Sequence, residues 1–281
     1  MAVTIAQITE LRAATNAGIG ACKEALTASN GNMEEAVKYL REKGLAIQAK
    51  RVDKESKQGI IAAAAEPGGK AAALAEINCE TDFVANTDSF KDFVKKAAGV
   101  ALEGKDIAET LKDEYQMLLT KTGENVKIRR SERYVLSGTG VLSSYIHMGG
   151  KIGVLVELSC GKPETASAKE FADLAHMLCL QIAANAPKYI DAKDIPQPEV
   201  DAELEVKLAA LKEQKGKLPP EQALVGIKKG MAAKFATQIC LLKQPYVADD
   251  KQSVEQIVAA AAKTLGDTVS VARFTRFQLG A

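Results

Sequence analysis

The hydrophobic positions divide the chain into a helical start and a mixed remainder. Over residues 4–44, apolar side chains recur three or four positions apart, which predicts three short helices. Gly44 follows the last of these periodic positions, so we expect it to end the third helix. Basic residues outnumber acidic ones over 45–58, and this stretch is predicted to be a solvated linker.

Two later stretches share one pattern of strand, glycine turn, strand, loop and helix. Gly68-Gly69 and Gly149-Gly150 supply the positive φ that such hairpin turns need. The alternation of side chains around them predicts antiparallel strands. The predicted strands and helix are 60–65, 72–78 and 88–103 in the first stretch, and 141–147, 152–158 and 167–185 in the second.

These two stretches are copies of one repeat. Shifting the chain by 81 positions (140 − 59 = 81) places Gly59 on Gly140 and Glu76 on Glu157 without a gap. After the shared cysteine the copies diverge, because Thr81-Asp82-Phe83-Val84 faces Lys162-Pro163-Glu164-Thr165. A loop that differs on a matched scaffold is where we expect a function particular to one copy.

The remaining elements complete an α+β fold class with antiparallel strands. Between the copies, the pattern predicts a helix and then a strand that contains Val126 and Ile128. Prolines separate the second copy from a helical hairpin. The other predicted elements are a helix at 106–121, hairpin helices at 199–215 and 220–236, a strand at 237–242, a helix at 253–265 and a strand at 269–273.

This order of elements predicts four segments. They are a three-helix module at 1–45, the linker at 46–58, a first core subdomain at 59–139, and a second at 140–281 that includes a protruding helical hairpin at about 188–236. A chain of 281 residues is long enough for these segments to bury a substantial core.

Composition narrows the classes of function. The chain is 47% hydrophobic and 26% charged with a net charge of +1, which is typical of a soluble globular protein. The near-neutral charge argues against nucleic acid as the main partner. The N-terminus lacks the pattern of a signal peptide, and no apolar run approaches the length of a membrane span. We therefore expect a cytoplasmic protein without a membrane partner.

The cysteines and glycines predict neither a metal site nor a cofactor. The five cysteines are odd in number and form no CxxC pair, so small buried thiols are the favoured interpretation of Cys79 and Cys160. The glycine pairs match no nucleotide-binding motif. No nucleophile has a base nearby in sequence, so we expect no catalytic residues and no enzyme activity.

Four residues have competing local interpretations. Asp82 and Phe83 could insert into a partner, but on the residues alone a helix-capping aspartate and a buried phenylalanine are favoured. His147, at a predicted strand end, could contact a partner or be a surface histidine without a role. Lys23 by itself is a solvated lysine on a helix.

Longer motifs resemble the elongation factor Ts family of bacteria and organelles. Residues 76–86 read EINCETDFVAN and are similar to the family's signature, and residues 11–26, LRAATNAGIGACKEAL, resemble its second signature. Gly123-Glu124-Asn125 with Arg129-Arg130 also fits, as does the segment that ends at His147. The resemblance covers nearly the whole chain.

The resemblance implies a fold, an activity and a set of contacts. The module would be like a ubiquitin-associated domain, and the activity would be guanine-nucleotide exchange on elongation factor Tu, in its GDP-bound and nucleotide-free forms. The implied wedge at the magnesium site is Thr81, Asp82, Phe83 and Val84. The other implied contacts are Ile19, Lys23, Gly123, Glu124 and His147. Some members of the family also pair into homodimeric complexes through the helical hairpin.

The chain departs from the family pattern in the second helix region. Asn16 stands where glycine is usual, and Gly20-Ala21 where methionine and aspartate are common. The alternative to an exchange factor is a non-catalytic RNA- or ribosome-associated binding protein. Its support is the basic stretch at 43–58 and the pair Arg129-Arg130.

Overall fold

The computed structural model describes residues 3–15, 17–51, 53–217 and 219–281. The expectation for Asn16 lies outside these residues. The predicted α+β fold class is confirmed, with antiparallel sheets and a helical N-terminal region. In the described part of the chain, no helix combines the length and the apolar character needed to cross a membrane.

Helices make up most of the described chain. In order, they are α1 (Ile5–Thr15), α2 (Ile19–Ala28), α3 (Met33–Arg51), α4 (Asp82–Ala85), α5 (Asp88–Leu102), α6 (Ile107–Thr110), α7 (Lys112–Thr122), α8 (Pro163–Ala166), α9 (Lys169–Asn185), α10 (Gln197–Lys215), α11 (Glu221–Ile239) and α12 (Val254–Leu265).

The strands form two three-stranded sheets and one small pair. The first sheet has the order β1-β2-β3, the second β4-β5-β8, and β6 pairs with β7. The strands are β1 (Gln58–Ala65), β2 (Ala71–Cys79), β3 (Lys127–Val135), β4 (Gly140–His147), β5 (Ile152–Cys160), β6 (Pro245–Tyr246), β7 (Asp249–Ser253) and β8 (Val269–Gln278).

The chain divides into two compact units. The first contains the residues up to Val135, together with Ile146–Gly153 and Phe277–Ala281. The second contains Leu136–Tyr145 and Val154–Arg276. Each copy of the repeat contributes to a three-stranded sheet whose middle strand leads into a one-turn helix.

The three predicted N-terminal helices are confirmed. α1, α2 and α3 pack around a small cluster of buried side chains, which is the face that the three- and four-residue spacing predicts. Asn32 caps the third helix by accepting a hydrogen bond from the Glu35 amide at 3.2 Å. The fully buried side chains of this cluster are Leu11, Cys22, Ala25, Leu26, Ala36 and Leu40.

The prediction that Gly44 ends the third helix is wrong, since α3 continues to Arg51 and takes up half of the predicted linker. Gly44 lies where α3 packs closely against α7. A Cβ atom at this position would lie 2.5 Å from the Gln116 carbonyl oxygen and 2.5 Å from Thr120 Oγ1 on α7. Thr120 Oγ1 also donates to the Leu40 carbonyl at 2.7 Å. The glycine therefore allows two helices to touch.

The predicted strand at 237–242 is also wrong. α11 continues to Ile239, and the Cys240 amide donates to the Ala236 carbonyl at 2.8 Å. Phe235, Ala236 and Cys240 are buried with the four-residue spacing of a helix, so tertiary packing favours helix over the strand that the apolar run suggested. The next strand after α11 is β6.

A buried glutamate repeats at the centre of each sheet. Glu76 on β2 is fully buried and binds Arg129 at 3.2 Å and Arg130 at 2.7 Å, both on β3. Glu157 on β5 is 1% exposed and binds Arg273 on β8 at 2.7 Å. A buried carboxylate needs such partners to remain charged.

The carboxylate of Glu157 stays ionised although it is buried. Burial acts to raise its pKa, but hydrogen bonds from the Ser137 amide and hydroxyl and from Arg273 outweigh it, so the pKa lies below the ordinary value. A lowered folded-state pKa means that this contribution to stability is present above the ordinary pKa of glutamate. It is lost as the pH falls through the folded value.

We predict that Gly44→Ala destabilises the first unit although alanine favours helices. The new Cβ would overlap two oxygens of α7, so the free energy of unfolding should fall by about 1–3 kcal/mol. Gly99→Ala on α5 is the matched control. Its Cβ would meet no heavy atom within 4 Å, so it should gain up to about 1 kcal/mol. Urea unfolding measures both, and a stabilised Gly44→Ala variant would contradict the packing assignment.

Candidate functional site

The divergent loop of the first copy forms the one-turn helix α4, and threonine side chains cap the N-termini of α4 and of the following helix α5. Thr81 is extended (φ −122°, ψ 154°) and its side chain accepts from the Val84 amide at 3.3 Å, which starts α4. Thr87 caps α5 in the same way through the Phe90 amide. The prediction that Asp82 caps a helix is therefore wrong, because threonines hold both cap positions.

Phe83 lies on the outer side of this turn. Its side chain is 82% exposed, so the interpretation as a buried phenylalanine is wrong. The turn explains the exposure: Ala85 is buried and Val84 packs against the core beside α5, which leaves Asp82 and Phe83 on the solvent side. Phe83 is thus one of the few large apolar side chains that the described chain leaves exposed.

One carboxylate fixes the position of the turn. Glu124 Oε2 accepts from the Glu80 amide at 3.0 Å and from the Thr81 amide at 3.1 Å. Glu124 Oε1 accepts from the Thr81 hydroxyl at 2.6 Å. Hydrogen bonds to a charged acceptor are among the stronger ones in proteins. These three bonds link the segment after α7 to the start of the α4 turn.

The segment after α7 also donates a hydrogen bond back to the segment that begins the α4 turn. Gly123 ends α7 in the left-handed region (φ 66°), which turns the chain so that Glu124 faces the loop. The Asn125 amide then donates to Glu80 Oε1 at 2.7 Å. Arg51, the last residue of α3, forms an ion pair with Glu80 Oε1 at 2.9 Å and donates to the Gly123 carbonyl at 2.8 Å.

The second copy builds the same turn with other side chains. Lys162 has nearly the backbone conformation of Thr81 (φ −122°, ψ 139°) and precedes the one-turn helix α8. Its amide donates to Asp267 Oδ2 at 2.9 Å, and Gly266 ends α12 in the left-handed region. Glu164 occupies the position of Phe83 and is exposed. The copies thus differ in what they display on one shared backbone.

The other predicted contact residues lie on separate elements. Ile19 and Lys23 are one turn apart on α2, and both are exposed, Ile19 by 58%. Among the described residues, no hydrogen bond or ion pair joins either of them to the α4 turn. Gly20 lies beside open space, where a Cβ would meet nothing within 4 Å.

His147 is the exposed last residue of β4. Its carbonyl accepts from the amides of Gly150 and Lys151 at 3.2 and 3.1 Å, which closes the hairpin turn. Met148 in that turn has a positive φ of 50° and is 69% exposed. The Gly150 carbonyl accepts from the Ile61 amide at 2.8 Å, so this turn is anchored to β1.

The thiols have the properties of structural cysteines. All five are free, four are buried and Cys160 is partly exposed. Burial, with a smaller effect of the Glu124 charge, raises the pKa of Cys79 to about 12. Burial likewise raises the pKa values of Cys179 and Cys240 to about 11. Within the described part of the chain, no cluster of three or more His, Cys, Asp or Glu residues could hold a metal ion.

Comparisons with known proteins place this site in a family. The family model described as elongation factor TS matches residues 80–281, which include the α4 turn and Glu124. The elongation factor Ts of Trichlorobacter lovleyi is 40% identical, with 100% of this chain and 93% of that protein aligned.

Two further relatives agree over the full length. The elongation factor Ts of Nitratiruptor sp. is 38% identical over 100% of this chain and 94% of its own. That of Nitratidesulfovibrio vulgaris is 37% identical over 100% and 96%. The chain belongs to the elongation factor Ts family. The predicted resemblance is confirmed, and the chain is a translation elongation factor.

Sequence reasoning within this elongation factor Ts chain missed how the turn is held. The motif at 76–86 contains Glu80 and the basic stretch at 43–58 contains Arg51, but neither pattern indicates the partners of these residues. The signal that could have found them is a second register of the repeat. A shift of 143 positions (267 − 124 = 143) places Glu124 on Asp267, and it also places Gly123 on Gly266 and Arg130 on Arg273.

We predict that Glu124→Gln loosens the α4 turn. The neutral amide keeps the shape but weakens three hydrogen bonds, so the free energy of unfolding should fall by about 1–3 kcal/mol. Glu164→Gln, at an exposed position of the second turn, should stay within about 0.5 kcal/mol of the parent. Equal stabilities of the two variants in urea unfolding would show that the carboxylate does not hold the turn.

The raised thiol pKa values predict slow alkylation. At pH 8 the native chain should react with iodoacetamide far more slowly than the urea-unfolded chain, since burial and a low thiolate fraction act together at Cys79. Cys160, the partly exposed thiol, should react first among the five. Peptide mass spectrometry gives the order, and rapid labelling of native Cys79 would contradict its assignment as a structural thiol.

Proposed function

We propose that this chain promotes release of GDP from elongation factor Tu by inserting the Asp82–Phe83 turn next to the bound nucleotide and its magnesium ion. The observation that carries the proposal is the 82% exposure of Phe83 on a turn whose backbone is held by Glu124 and Thr81. Membership of the elongation factor Ts family supplies the partner.

The energetics suit an insertion mechanism. Burying a phenylalanine side chain in a partner is worth about 1.5–3 kcal/mol, and every 1.4 kcal/mol changes an affinity about tenfold. The coupling between two ligands of one protein is reciprocal. A protein that binds nucleotide-free elongation factor Tu more tightly than the GDP-bound form must therefore lower the affinity for GDP by the same ratio. One aromatic ring therefore supplies a substantial part of the effect.

The turn also limits the entropic cost of insertion. Thr81 and Val84 are the residues whose hydrogen bond forms the turn, so their role in exchange is to present Asp82 and Phe83. Asp82 carries a negative charge on the exposed side of the turn, where it can disturb the coordination of a nearby cation. A preformed contact spends less binding free energy on ordering than a flexible one.

The remaining predicted contacts divide into two groups. Ile19, Lys23 and His147 are exposed, and we propose that they touch elongation factor Tu directly. Gly123 and Glu124 are engaged within the chain, through the Gly123 carbonyl and both carboxylate oxygens. Their contribution to exchange therefore passes through the position of the turn.

The RNA-associated alternative has less support from the structure. Three of its arginines are paired within the chain: Arg129 and Arg130 bind buried Glu76, and Arg51 binds Glu80. An arginine that neutralises a buried carboxylate is a poor phosphate ligand. The exposed Phe83, by contrast, has no role in the fold.

The test is release of a fluorescent GDP analogue from elongation factor Tu, with this chain present below the concentration of the GTPase. The parent chain should accelerate release through many turnovers. Phe83→Ala should slow the accelerated release about tenfold or more, because the apolar contact is lost. An unchanged rate for Phe83→Ala would overturn the insertion mechanism.

Glu164→Ala is the matched control, since it truncates the same position on the turn of the second copy. It should leave the release rate unchanged. Both variants remove exposed atoms, so both should unfold at the parent urea concentration. A loss of stability in Phe83→Ala would mean that the ring has a structural role.

A further inference from the structure

We infer that Arg51 is a positioning residue that couples the N-terminal module to the Asp82–Phe83 turn. The inference rests on the proposed exchange function and adds a regulatory link to the same site. The starting point is a difference between the two copies: each turn has a glycine carbonyl that needs a hydrogen-bond donor, and the copies obtain that donor from different places.

In the second copy the donor is local. Lys162 Nζ donates to the Gly266 carbonyl at 2.7 Å, and the Lys162 amide donates to Asp267. The residue that begins the turn therefore holds both the glycine and the acidic residue that follows it. The first residue of this turn itself supplies the donor, and both acceptors lie just after α12.

In the first copy the donor is remote. The residue equivalent to Lys162 is Thr81 (162 − 81 = 81), whose short side chain reaches only Glu124 and the Val84 amide. The Gly123 carbonyl instead accepts from Arg51, which lies 72 positions earlier at the end of α3. Arg51 also forms the ion pair with Glu80.

Arg51 thus binds both sides of the junction that supports the turn. Glu80 Oε1 accepts from the Asn125 amide at 2.7 Å as well as pairing with the guanidinium, so its position depends on both groups. The Glu80 side chain is 13% exposed and Arg51 is 38% exposed. The contact with the Gly123 carbonyl is a hydrogen bond, whereas the contact with Glu80 is an ion pair in which Arg51 Nε lacks hydrogen-bond geometry.

The position of Arg51 follows that of α3. Gly44 sets the close approach of α3 to α7, and Arg41 on α3 pairs with Asp113 on α7 at 2.9 Å. A change in the docking of the module would therefore move the guanidinium and release the turn. Through this link, binding of the partner at Ile19 and Lys23 on the module is coupled to the order of the turn that carries Phe83.

The test compares Arg51→Met and Arg51→Lys with the parent in two measurements. The first is amide hydrogen exchange at Glu80 and Thr81, with the Lys162 amide as the internal reference. The second is GDP release from elongation factor Tu over a range of concentrations of this chain, which separates the maximal rate from the half-saturating concentration.

We expect Arg51→Met to lower protection at Glu80 and Thr81 but not at Lys162. The maximal rate of GDP release should fall about fivefold, because order must be restored during insertion. The half-saturating concentration should change less than about twofold, since Arg51 makes no partner contact in this account. Arg51→Lys should recover part of both effects, as Lys162 shows that an ammonium group can satisfy such a carbonyl.

Two results would overturn the inference. Unchanged amide protection in Arg51→Met would show that the turn does not depend on the guanidinium, whatever the rate. Loosened amides with a parent maximal rate would show that order of the turn does not matter for exchange. Failure of the proposed function is separate, because the parent chain itself would then not accelerate GDP release.

Discussion

The proposed contact surface of this chain depends on one carboxylate that accepts hydrogen bonds from the loop opposite. Glu124 accepts hydrogen bonds from the amides of Glu80 and Thr81 and from the hydroxyl of Thr81. These bonds fix the backbone of the turn that follows β2. The exposed ring of Phe83 has no packing of its own to keep it in place. Its direction is set by the backbone, and the backbone by Glu124.

The internal repeat shows which parts of this arrangement are scaffold. Both copies have a buried glutamate paired with arginine on the next strand, a left-handed glycine after a helix, and an acidic residue that holds a one-turn helix. The copies differ in the exposed side chain, Phe83 in one and Glu164 in the other, and in the donor to the glycine carbonyl, Arg51 in one and Lys162 in the other. On a shared scaffold, an exposed residue such as Phe83 can change without a cost to the core, which separates stability from the proposed function.

Local patterns predicted the helices, most strands and the repeat, because those depend on spacing along the chain. They failed where a distant element decides the outcome. In the sequence Gly44 resembles a helix end, but in the structure α7 packs against it. Phe83 resembles a core residue, but Ala85 occupies the buried side of the turn. The family resemblance pointed to Phe83 as a candidate contact residue, but contacts between positions 51, 80 and 124 require the folded chain.

The central claim is that the Asp82–Phe83 turn is ordered before any partner binds. Backbone ¹⁵N relaxation of the free protein tests it most directly. The account predicts order parameters for residues 80–85 of about 0.85, equal to those of the adjoining helix and of the turn at 162–166. Values below about 0.6 at 82–84, beside a rigid second turn, would contradict it and would mean that elongation factor Tu orders the loop on binding.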